Sequence, residues 1–97
     1  MRSLRLQSVA EAEVAEALDW YRSRSASAAR GFLNELDRTF SQLQTDPGRF
    51  PLVTRTLRRA LLSHFPYGVY YLVRSEGILV VGIVHGRRHP RRWRRRG

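Results

Sequence analysis

Residues 78–84, ILVVGIV, are seven consecutive apolar or glycine positions without a polar interruption. Neighbouring side chains of a strand point to opposite faces, so a strand that is apolar throughout has to be covered on both. The run is far short of the roughly 18 apolar residues of a membrane helix. It follows Ser75-Glu76-Gly77, a tight turn in which glycine can take a positive φ. Before that turn Tyr67–Arg74 alternates, with Tyr67, Val69, Tyr71 and Val73 on one face and Tyr70 and Leu72 on the other. The two segments read as antiparallel neighbours, the second of them central. A chain of 97 residues supports one core, so residues 1–97 are read as a single domain. The layers that cover the central strand must therefore come from a short stretch of chain or from a partner.

Upstream, Leu4, Leu6 and Ser8 alternate with Arg5, Gln7 and Val9, which predicts a short, half-buried first strand. Ser8-Val9-Ala10-Glu11 has the S-x-x-E spacing of a capping box, in which hydroxyl and carboxylate satisfy backbone N–H groups at a helix start. Ala10, Val14, Ala17, Leu18 and Tyr21 then form one helical stripe. Glu11, Glu13, Glu16 and Asp19 are assigned to the outer surface, and Trp20 to the flank of the stripe. The polar cluster 23–27 is expected to link this helix, in about five residues, to a second one. That helix carries Ala29, Phe32, Leu33, Leu36, Phe40 and Leu43 on one face and stops at Asp46-Pro47-Gly48. So short a link predicts an antiparallel hairpin. Residues 48–51 read as a loop, and residues 56–63 as a strand interrupted by Phe65-Pro66. The predicted fold is α+β in two layers. An N-terminal strand and a helical hairpin pack on a small antiparallel sheet that ends in a three-strand meander. The sheet face carrying Tyr70 and Leu72 is expected to lie uncovered, open to a partner chain.

Charge divides the chain. Residues 1–46 hold six arginines against seven acids, a net of −1, whereas residues 47–97 hold twelve arginines against Glu76, a net of +11, which together give the +10 of the whole. Seven of those arginines fall in residues 87–97, a basic C-terminal arm with Trp93 as a stacking platform. Arg58 and Arg59 extend the patch; neighbours alternate faces, so one of the two points the way of the arm. There is no cysteine, which excludes disulfides, thiol nucleophiles and zinc-finger spacing. The N-terminus lacks the apolar core of a secretory signal, and a cytoplasmic protein without membrane contact is expected. The proton carriers titrating near neutrality are His64, His85 and His89. They lack metal-ligand spacing, so neither a metal nor another cofactor is expected.

The capped hairpin, the loop Asp46-Pro47-Gly48-Arg49-Phe50-Pro51, Phe65-Pro66-Tyr67 leading a tyrosine-rich strand, and Ile83-Val84-His85-Gly86-Arg87-Arg88-His89-Pro90 resemble the RelE/ParE superfamily of type II toxins. The resemblance spans nearly the whole chain. It implies a toxin neutralised by a co-expressed antitoxin, which itself carries the contact with operator DNA. The antitoxin is expected to be acidic and to add a helix or strand over Tyr70 and Leu72, or along the hairpin by Trp20. The superfamily has two targets: the ribosome with its mRNA, cut by RelE-like members, and DNA gyrase, poisoned by ParE-like members.

Cutting RNA through its 2′-OH requires a base, an acid for the leaving oxygen, and cations on the phosphate. Arginine, with a pKa above about 12, clamps phosphate but moves protons poorly. Lysine is absent from the chain. The position resembling the C-terminal tyrosine of RelE-like enzymes is Trp93, which has no titratable group. A RelE-like reaction would fall to His85 and His89 with Arg58 and Arg88. The ParE-like reading needs only a contact surface, Arg58, Arg59, Arg87, Arg88, Arg91, Arg92, Trp93 and Arg94, and it ranks first. A basic nucleic-acid-binding module with no toxin role is a third reading.

Overall fold

In the computed structural model, residues 1–86 are described. Their elements run β1 (Leu4–Leu6), α1 (Ser8–Arg24), α2 (Ala26–Thr45), a 3₁₀ turn (Pro47–Arg49), β2 (Leu57–Leu61), β3 (Tyr67–Arg74) and β4 (Gly77–His85). The strands form one sheet in the order β1-β4-β3-β2. The meander β2-β3-β4 is antiparallel, as expected, and β1 adds to it in parallel on the far side of β4. The crossover from β1 to β4 places both helices on one face of the sheet. The architecture is thus α+β in two layers with a mixed four-strand sheet.

β4 is central, and its whole apolar run is buried. On the helix side, Ile78, Val80 and Ile83 join Val69 and Tyr71 of β3 in a core with Ala10, Ala17 and Tyr21 of α1 and Phe32, Leu36 and Leu43 of α2. On the other side, Leu79, Val81 and Val84 pack with Leu57, Tyr70 and Leu72, against Val53. The expectation that this second face lies open is therefore corrected. Tyr70 and Leu72 are each only 7% exposed and cluster with Leu57, Leu79, Val81 and Val84. The turn before β4 depends on Gly77, whose φ is +139°, and a Cβ there would stand 2.6 Å from the carbonyl oxygen of Ser3. That close approach lets the Ile78 N–H donate to the Ser3 carbonyl (2.8 Å) and the Ser3 hydroxyl to the Glu76 carbonyl (2.8 Å).

The helical hairpin forms, but its link is one residue rather than five. Ser25 ends α1, donating its N–H to the Tyr21 carbonyl, and caps α2, its Oγ accepting from the Ala28 N–H at 3.0 Å. An extended serine can close one helix and open the next at once, so no further residues are needed. The capping box at Ser8 and Glu11 does not form. Gln7, not Ser8, is the N-cap of α1 and makes no side-chain cap bond, and its N–H donates to the Val80 carbonyl at the end of the β1-β4 ladder. Glu13 also departs from expectation: it is buried, not on the outer surface.

A second buried carboxylate holds the connection between β2 and β3. Glu35 of α2 accepts from the N–H groups of Ser63 and His64 and contacts His64 Nδ1 at 3.0 Å. Burial pushes its pKa up, but the bonds from Ser63 and His64 outweigh that and leave it below the ordinary carboxylate value. The stabilisation is therefore complete above the unfolded value of about 4.3 and is lost as pH falls through the lower folded one. Glu35→Ala is expected to cost about 2 kcal/mol at pH 7. In urea titrations from pH 6 to pH 3 the wild-type chain should lose stability more steeply than this variant; parallel curves would show that the carboxylate contributes nothing.

Candidate functional site

The site forms where β1 runs out. β1 accompanies β4 only from Ile78 to Val80, after which the chain turns into α1. A register shift between Tyr70 and Tyr71 then gives β4 one extra residue, a bulge that keeps Ile83 facing the helices. The Ile83 N–H, left without a strand neighbour on that side, donates to Glu13 Oε1 at 2.9 Å. Small side chains at Ala10 and Ala17 allow α1 close enough for the carboxylate to reach. α1 thus completes with a side chain what a longer β1 would have done with its backbone.

Beyond this bond, α1 and the ends of β3 and β4 diverge and leave a half-open trough of about 340 Å³. Glu13, Glu16, Ala17, Trp20 and Tyr21 line it from the helix, and Pro66, Tyr67, Ile83 and His85 from the sheet. The Tyr67 and His85 rings meet edge to face, centroids 5.2 Å apart, and Tyr21 lies between Phe32 at 5.3 Å and Phe65 at 5.1 Å. Burial, with Tyr67 beside it adding, raises the pKa of the Tyr21 phenol above its usual value. It therefore stays protonated near neutrality. At the rim Trp20 is 52% exposed, and the Arg24 guanidinium lies 4.5 Å from the centroid of its ring.

Of the residues singled out from the sequence, this arrangement brings together His85 and Trp20. Arg58 lies elsewhere. It is paired with Tyr71, and its Nη1 donates to the carbonyls of Phe50 (2.6 Å) and Gly48 (3.3 Å), so it holds the loop that follows the 3₁₀ turn. His85 is paired with Tyr67, four residues back along β3, a separation of roughly 13 Å along the strand. Tyr71 supports the same loop: its hydroxyl donates to the Pro47 carbonyl at 2.7 Å, and burial pushes its pKa up to about 12. Arg59 is paired with Tyr70, and its buried Nε has no hydrogen-bond partner among the described residues. His64 is exposed and anchored to Glu35. The expectations that fall on Arg87, Arg88, His89, Arg91, Arg92, Trp93 and Arg94 lie outside the described residues.

Sequence reasoning missed Glu13 and Glu35. The signal available was their phase: Glu13 sits between Ala10 and Ala17 on the core side of α1, and Glu35 between Phe32 and Leu36 on that of α2. An acid at a core position of a helix is an acceptor for backbone that the sheet leaves unpaired. Among the described residues no group of three or more His, Asp or Glu is placed to hold a metal ion. No described helix is long and apolar enough to cross a membrane.

Glu13→Leu is expected to lower stability by about 1–3 kcal/mol, since the Ile83 N–H is then buried without an acceptor. Glu13→Gln, which keeps a carbonyl oxygen at the same reach, should restore most of the loss. Thermal melts check this, and equal losses in both variants would assign the effect to charge instead.

Comparison with curated proteins finds no match. Among solved structures, the chain is similar to one described as the chromosomal ParDE TA system from P. aeruginosa. The TM-score is 0.75 at 19% identity, over 88% of this chain and 96% of that one, a likeness of fold. The profile of the family described as the ParE toxin of type II toxin-antitoxin system, parDE, matches residues 4–90, nearly the full length. The chain belongs to the ParE toxin family of type II toxin–antitoxin systems.

Proposed function

We propose that this ParE family member inhibits growth by binding DNA gyrase, breaking no bond itself, and that a cognate acidic antitoxin neutralises it. Family membership carries the toxin role and implies an antitoxin partner. Binding is favoured over catalysis by Arg58. An RNA-cleaving centre needs its proton carriers and its phosphate clamp within reach of one phosphate. Here Arg58 is paired with Tyr71 and His85 with Tyr67, positions about 13 Å apart along β3, and the Arg58 guanidinium is engaged by the carbonyls of Gly48 and Phe50. The charge of residues 47–97 suits an acidic protein surface or a DNA complex, both of which it would approach under electrostatic steering. Operator DNA is reached only through the antitoxin.

Purified protein added to gyrase is expected to block supercoiling and to trap cleaved DNA. Replacing Arg87, Arg88, Arg91, Arg92 and Arg94 together by glutamine should weaken the effect at least about tenfold, with a loss that grows with salt in the parent chain. Unaltered supercoiling with no trapped cleavage rejects this reading.

The mRNA endonuclease is the second reading, and the packing of the His85 imidazole against the Tyr67 ring is the observation that favours it. It predicts cuts in translated transcripts that disappear when His85 and His89 are both replaced by alanine. Toxicity unchanged in that double variant, with uncut transcripts, dismisses it.

A further inference from the structure

The two layers differ in charge. Glu11, Glu13, Glu16, Asp19, Glu35 and Asp37 lie on α1 and α2, and no strand carries an acid. The sheet face turned away from the helices instead holds arginines: Arg5 between Leu4 and Leu6 of β1, Arg59 two residues after Leu57 of β2, and Arg74 two residues after Leu72 of β3. Arg59 is half-buried, and its stem lies against β3 at Gly68. A Cβ added at Gly68 would stand 3.3 Å from Arg59 Cγ and Cδ and 3.4 Å from Leu61 Cδ2. The absent side chain thus leaves the room in which the stem lies, with Leu61 beside it. Its Nε is buried and has no acceptor among the described residues, where Arg59 also forms no ion pair. A buried N–H left over in this way calls for a partner. Nε and Nη of a guanidinium form a planar fork that matches the two oxygens of a carboxylate. With the stem already seated, binding has less rotamer freedom to remove.

The direction of approach is set as well. The Leu57 carbonyl accepts from the Val53 N–H (2.8 Å) and the Arg59 N–H donates to the Pro51 carbonyl (3.1 Å), so the preceding loop occupies the outer edge of β2 at these residues. A partner strand cannot extend the sheet there, and a segment that reaches Arg59 has to cross the face. Leu61, 62% exposed, gives that segment an apolar contact beside the guanidinium.

We propose that Arg59, seated on Gly68, is the receptor for one aspartate or glutamate side chain of an acidic partner segment crossing the outer face of the sheet. The two adjacent arginines of β2 then have different tasks, since Arg58 is engaged by the loop carbonyls of Gly48 and Phe50. Naming the partner as the antitoxin rests on the function proposed above; the carboxylate site does not, and a negative gyrase assay would leave it intact.

The test uses the full chain with isotope-labelled arginine and follows the Nε–H resonance of Arg59 by NMR at constant ionic strength. Nα-acetyl-glutamate amide, with a free side-chain carboxylate, and its neutral isostere Nα-acetyl-glutamine amide are the probes. The glutamate compound is expected to shift the resonance saturably with a midpoint on the order of millimolar, the glutamine compound with a midpoint at least about tenfold higher. Arg30, exposed on α2, should respond much less than Arg59. Arg59→Lys keeps the charge and loses the fork; the backbone amides of Leu61 and Gly68 should then report binding weakened roughly threefold or more. Equal responses to the two compounds, a shift at Arg59 no larger than at Arg30, or full affinity in Arg59→Lys overturns the proposal. A lower midpoint for inorganic phosphate than for the glutamate compound overturns the assignment to a carboxylate.

Discussion

The N–H of Ile83 and the carboxylate of Glu13 meet at 2.9 Å across the junction of the two layers. The bond answers a mismatch of length: β4 has nine residues and its parallel neighbour β1 has three. A buried strand edge cannot be left unpaired, since an N–H removed from water without an acceptor costs on the order of 1–3 kcal/mol. A longer β1 would solve this with backbone and would push α1 further along the sheet. A helix that starts at Ser8 solves it with one side chain, and the space a strand would have filled becomes the trough. Fold and candidate site therefore have a common origin in where β1 stops.

The meander was legible because its signals are local. Alternation in Tyr67–Arg74, a glycine turn and a run apolar on both faces fix strand, direction and centrality within about twenty residues. The hairpin was legible for the same reason, through the stripe on α2 and the proline after Asp46. What escaped depends on partners far apart in sequence. Glu13 answers a residue 70 positions away, and Glu35 residues 28 and 29 away. Local spacing assigned Glu13 to solvent because nothing in α1 announces the bulge in β4. The capping box failed in the same manner: Ser8 and Glu11 have the right spacing, but Gln7 is the N-cap, and its N–H donates to Val80. Tyr70 and Leu72 were placed on the correct face and wrongly left open, because alternation states which face a residue takes and not what lies over it.

The same long-range contacts change what the charge count means. Two of the seven acids in residues 1–46, Glu13 and Glu35, are buried acceptors of backbone N–H groups. Their charge adds to the long-range field, but the surface pairing it offers is confined to the trough and to His64. Arginines are committed as well. Arg58 clamps the loop carbonyls of Gly48 and Phe50, and Arg24 stacks on Trp20. Counting basic residues therefore overstates the groups available to a target, while the sign of the imbalance stands.

An arginine committed to backbone carbonyls also bears on chemistry. A guanidinium is a phosphate clamp rather than a proton carrier, and that of Arg58 is engaged by the carbonyls of Gly48 and Phe50. Tyr71, with its pKa near 12, and Tyr21, also raised, hold their protons equally firmly. Around the junction of β2, β3 and the loop 47–50, the polar groups are thus fixed in one protonation state and bonded to backbone, which suits a rigid surface read by a partner. Of the two described histidines, His64 is tied to Glu35 while His85 lines the trough. The feature that gives a nuclease reading its one foothold therefore stands in a cavity lined by two acids. An RNA phosphate entering it would meet the carboxylates of Glu13 and Glu16, and like-charge repulsion there weighs against RNA chemistry.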